Sequence, residues 1–113
     1  MANSAKARNV LDLVEGWTKA EPLRLYDNGT PTDLTGKTVT HEIHDNAGGV
    51  VAGVVVTADA DQVANPGRVW LTPAAGMTNA LSPFSLHFVV TDGAGTVVKY
   101  PNGPASTITV YKP

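Results

Sequence analysis

Short runs of alternating apolar and polar residues, each closed by glycine, proline, asparagine or aspartate, constrain this chain more than any other feature. The clearest case is Leu23 to Ile43, LRLYDNGTPTDLTGKTVTHEI. Leu23 and Leu25 alternate with Arg24 and Tyr26, the period-2 mark of a strand with one buried face. Asp27-Asn28-Gly29 breaks that strand, because Asn and Gly tolerate the positive φ of a tight turn. Pro31 fixes φ and withholds a donor, so Thr30 to Thr32 is expected to leave the ladder. Asp33-Leu34-Thr35-Gly36 reads as a second corner with Leu34 as its core plug. Val39, His41 and Ile43 then resume alternation against Thr38, Thr40 and Glu42.

The same grammar runs along the chain. Val10 to Val14 reads as a first strand, with a short helical turn as the competing reading. Asp45 to Gly49 is a turn. Val50 to Ala58 is apolar on both faces, which suits either a strand covered by its own core and by another subunit or a central strand within the monomer; Gly53 suits a bulge or a close approach. Asp59 to Gly67 is a polar loop, and Arg68 to Thr72 a strand with Val69 and Leu71 on one face. Pro73 to Pro83 is a loop with room for one helical turn at Ala74 to Met77. Phe84, Leu86, Phe88 and Val90 form the cleanest strand pattern and belong at a sheet centre. A turn at Asp92 to Gly95 leads into Thr96 to Tyr100. Pro101 to Pro104 stops that strand, and Thr107 to Tyr111 is the last, with Ile108 and Val110 inward. Seven to eight such strands at these intervals predict an Ig-like antiparallel β-sandwich. It would span residues 10–113, behind a short N-terminal arm at 1–9. The arm reads either as a frayed terminus or as a segment that orders against a neighbouring subunit.

The corner L-x-L-x-D-x-G-x-P-x-D-L-T-G-x-x-V is carried here by Leu23, Leu25, Asp27, Gly29, Pro31, Asp33, Leu34, Thr35, Gly36 and Val39. With Pro66-Gly67 before Val69 and Leu71, Phe84 to Val90 running into Thr91-Asp92-Gly93, and the Ile108/Val110 strand, it resembles the amino-terminal β-sandwich domain of phage baseplate upper proteins. Related small domains occur in phage tail and head-fibre proteins. The resemblance runs from about Trp17 to Tyr111, and the 113 residues include no fibre or collagen-like segment. It implies a structural protein of a bacteriophage virion, docked on the major capsid lattice or on the tail and baseplate. By analogy with virion fibres and decorations it also implies symmetric copies, with a trimer as the first expectation.

The 113 residues fit one domain with a real core, and only 16% are charged, which favours a β fold with a weakly charged exterior. Net charge is −2 with no basic run in the sequence, which argues against nucleic acid. There is no cysteine, hence no disulfide or thiolate metal site. The start, MANSAKARNV, has no apolar h-region, and no apolar run is long enough for a bilayer. The expectation is a protein made and kept in the host cytoplasm until it joins a virion.

Catalytic and metal-binding patterns are sparse. His41-Glu42-Ile43-His44 is one residue short of H-E-x-x-H; on a strand the two imidazoles point to opposite faces, which makes His41 a core or barely exposed histidine and His87 an outward one. Asp59 and Asp61 lack the further oxygen ligands of a calcium loop and read as solvated. Gly93-Ala94-Gly95 opens no helix. Ser82, Ser85 and Ser106 have no nucleophile-elbow context. Asn28-Gly29-Thr30 is a sequon better read as a turn. No enzyme, metal or cofactor is expected.

Six residues are the candidates for an interface. Trp70 alternates with Val69 and Leu71 and so faces outward, towards a partner or under a flanking loop. Trp17 reads as a core plug at the sandwich mouth or as an interface anchor. Val51 and Val55 lie in the doubly apolar run, and Arg8 and Val10 at the arm's end. The expected mechanism is burial of an apolar patch plus edge-strand pairing. The alternative is a carbohydrate- or host-surface-binding adhesin module that stacks sugars on Trp70, Trp17 or Tyr26.

Overall fold

Along Phe84–Thr91 (β8) alternation becomes burial without a break. Phe84, Leu86, Phe88 and Val90 are buried, while Ser85, His87, Val89 and Thr91 are not. The computed structural model describes residues 5–8, 11–101 and 105–113, the first of these segments through its backbone alone. Before β8 come Ala5–Arg8 (β1), Leu11–Val14 (β2), Glu21–Asp27 (β3), Thr30–Pro31 (β4), Thr38–His44 (β5), Val55–Ala58 (β6) and Arg68–Thr72 (β7). After it come Val97–Tyr100 (β9) and Ser106–Tyr111 (β10).

These strands form two sheets. One has the order β1-β3-β7-β6, with β4 also on β3; the other has the order β2-β10-β8-β5, with β9 also on β8. β9 and β10 share one side of β8, Tyr100 facing Phe88 and Ser106 facing Leu86. The first sheet therefore fills the A, B, E and D positions of an immunoglobulin sandwich, and β5, β8 and β9–β10 fill C, F and G. The chain crosses between the sheets at its start, since β1 is antiparallel to β3 and β2 is parallel to β10. Leu25, Leu34, Val69, Leu71, Phe88 and Ile108 lie at the centre of the core between the layers.

The structure alters several local expectations. Residues 5–8, expected as part of an arm, pair with β3 as a strand of the first sheet. Leu11–Val14 is a strand and not a helical turn, and Val10 lies outside the described residues. Thr30–Pro31 does rejoin the ladder, with Pro31 opposite Tyr26; a two-residue edge strand spares proline the donor it lacks. Val50 to Ala58 is not one strand. Val50 makes an isolated bridge to His44, Gly53 takes φ +87°, and only Val55–Ala58 is extended, at a sheet edge rather than its centre. The helical turn of the long loop is 3-10 and sits at Asn79–Leu81, after Ala74 to Met77. Of the strand stop at Pro101 to Pro104, residues 102–104 lie outside the described residues.

The Leu23 to Val39 corner is held by polar groups as well as by Leu34. Tyr100 Oη and Thr32 Oγ1 both donate to Asp27 Oδ2 at 2.8 Å. Gln62 is buried, and all its hydrogen-bonding groups are used. Its Oε1 accepts from Leu34 N at 3.1 Å and from Gly67 N at 2.9 Å, and its Nε2 donates to the carbonyls of Asp59 and Arg68. Asp33 accepts from Thr35 N at 2.9 Å, and Gly36 takes φ +72°. Thus most residues of the corner pattern have an identifiable part in shaping the turn between β3 and β5.

Candidate interface on the first sheet

Because side chains alternate, the buried Leu23, Leu25, Val69 and Leu71 leave Arg24, Tyr26, Arg68, Trp70 and Thr72 on the outer face of β3 and β7. On β6, Val55 and Thr57 take the same face, opposite Thr72 and Trp70. Register adds something that distance along the chain conceals. Arg24 stands directly opposite Arg68, and Arg8 stands at the register position opposite Arg24. These are all three arginines of the chain, set in one cross-strand row. Neighbouring strands lie ~4.8 Å apart, so the row spans ~10 Å. Lys6 takes the register position opposite Tyr26.

One carboxylate neutralises the end of this row. Asp59, just after β6, accepts from Arg68 Nε and from Trp70 Nε1 through Oδ2, both at 2.9 Å. Its Oδ1 accepts from Asp61 N at 2.9 Å. The backbone donor, then the indole donor, then the guanidinium hold its carboxyl down at about 2. The Arg68 guanidinium carbon lies 4.9 Å from the centre of the Trp70 ring, within cation–π range. Trp70 is thereby held in place on the sheet, half-buried, with one ring face covered. Arg24, next in the row, makes no ion pair among the described residues.

Of the six expected interface residues, the structure gathers three on this sheet. These are Trp70 and Val55 on its outer face, Val55 being 53% exposed, and Arg8 by backbone register. Trp17 is not a core plug. It is 41% exposed, in the turn after β2, where its N–H donates to the Val14 carbonyl. Val51 is half-buried against the core and donates to Ile43 O, so it is packing rather than surface. Val10 lies outside the described residues. Arg24 and Arg68 were missed as site residues, and Tyr26 was expected only as a sugar-stacking aromatic of the adhesin alternative. Their signal was present as outward positions beside Leu23, Leu25 and Val69, but the row itself depends on pairings between distant strands.

The histidines are placed as strand alternation requires. His41 is half-buried and opposite Phe88, on the inner side of edge strand β5, and burial lowers its pKa. A groove of about 380 Å³ is lined by His41 to His44 with Val50 and Val51. Among the described residues, no group of three or more His, Cys, Asp or Glu is placed to hold a metal ion. Asp59 faces its donors, and Asp61 accepts from the N–H of Ala64. No helix among the described residues is long and apolar enough to cross a membrane.

Comparison with protein-family models and with curated proteins returned no match.

Proposed function

We propose that the chain is a non-enzymatic structural protein of a bacteriophage virion, which docks as a small β-sandwich on the capsid lattice or on the tail and baseplate. The observation that carries this reading is the Leu23 to Val39 corner and its likeness to virion sandwich domains. It is supported by the parts those residues play here. Leu23, Leu25 and Leu34 are buried, Asp27 gathers Tyr100 and Thr32, and Gly29 and Gly36 take positive φ. A docking role also suits a rigid face that presents Trp70 and arginines, residue types enriched where binding energy concentrates. The adhesin alternative needs an open aromatic platform, and Arg68 already stands over one face of Trp70. The test is immunogold labelling of purified particles from a culture that encodes the chain. Gold on heads or tails supports the role; the chain found only in the soluble lysate refutes it.

A further inference from the structure

Like charges directly opposite one another on adjacent strands destabilise a sheet. This sheet nevertheless places Arg24 opposite Arg68, with Arg8 in register on the far side. The outer positions of β3, β6 and β7 carry no acid, and Asp59 reaches only the Arg68 end. A row left unneutralised in its middle is suited to an anion supplied from outside. We infer that the outer face of the β1-β3-β7-β6 sheet binds a carboxylate-rich surface of a partner protein, with Arg24 engaging the carboxylates beside the Arg68–Trp70 pair and Arg8 next in register.

The chemistry favours carboxylates on a protein. Guanidinium forks match carboxylates two bonds at a time, and a row ~10 Å long takes two or three of them. The flanking Tyr26, Trp70 and Val55 offer aromatic and apolar area for the rim of such a contact. A nucleic acid would meet the same row, but its continuous phosphates would also meet a chain of net charge −2 and only a narrow strip of cations. The inference deepens the docking role proposed above by naming the partner's chemistry. Its test uses purified chain alone, so a failure here leaves that role open to another face, and absence from particles would leave this face standing.

The probe is fluorescein-labelled hexaglutamate, followed by anisotropy at about 20 mM and about 300 mM salt, where screening is strong. The wild-type chain is expected to bind at low salt and release at high salt. Arg24→Gln and Arg8→Gln should each weaken binding about tenfold, the worth of one charged hydrogen bond. Lys112→Gln, a cation removed from outside the row, should not. Arg24→Gln should also melt no lower than wild type, since it removes a repulsion, which separates this role from a structural one. No binding by the wild type, or unchanged binding by both arginine variants, overturns the inference. Tighter binding of a 12-base-pair duplex than of hexaglutamate also overturns it, in favour of nucleic acid.

Discussion

Gly67 shows how little freedom single positions have at the corner. It takes φ +77°, and a Cβ there would lie 2.5 Å from the carbonyl oxygen of Leu25. Backbone cannot yield as a flexible side chain can. Gly67→Ala should therefore cost about 2–3 kcal/mol, read as a lower urea midpoint at unchanged slope. Gln62 is the polar counterpart. Gln62→Ala leaves the N–H groups of Leu34 and Gly67 without their acceptor, and buried donors stranded in this way cost roughly 2–4 kcal/mol together. Tyr100 gives a pH signature. Burial raises its phenol to about 12, so the folded state keeps a proton that the unfolded state gives up near 10. Stability is full below pH 10 and falls as pH rises towards 12; Tyr100→Phe should lose that alkaline limb in thermal melts. The alternation that exposes Leu25 and Phe88 as core is readable in sequence because it is local. Gln62 is not readable, because DADQVANPG looks like any solvated loop until Leu34 and Gly67 fold around its amide.

At the level of elements, strands with alternating buried residues were legible, edge strand β5 included, and the short strands β1 and β4 were not. β3, β7, β8 and β10 follow period 2 through their buried residues. β4 buries too little to leave a pattern, β1 offers only alanines between its cations, and the place of both comes from pairing with β3. Val50 to Ala58 misled for the opposite reason, since its unbroken apolar run hides the interruption at Gly53. β1 leads to a specific expectation. It covers one edge of β3, and its removal bares a row of backbone donors and acceptors. A chain lacking residues 1–9 should melt at lower temperature and self-associate by light scattering. A truncated chain that stays monomeric and equally stable would show that β1 adds nothing to the sheet.

For the whole molecule, the question is how a chain of net charge −2 comes to carry a cationic row. No basic run marks the site in sequence; the row arises when register brings Arg8, Arg24 and Arg68 across three strands. Asp59 then ties the stability of the fold to the charge of the face. Its carboxyl is held at about 2, below its ordinary value near 3.8, so the unfolded state binds the proton first on acidification. The stability it contributes is full above pH 3.8 and is lost as pH falls towards 2. Asp59→Asn keeps an acceptor oxygen for Trp70 or Arg68 but removes the charge. The variant should melt lower than wild type at pH 7, and the two should converge as pH drops through that window. The same substitution leaves the Arg68 guanidinium without its counter-charge and raises the net charge of the row by one. Hexaglutamate should therefore bind Asp59→Asn more tightly than wild type at low salt, even though the variant is less stable. Weaker binding would mean that the ion pair's main contribution to the face is to position Arg68 over Trp70. Opposite signs in the two measurements would mean that Asp59 stabilises the sandwich while limiting the charge it presents to a partner.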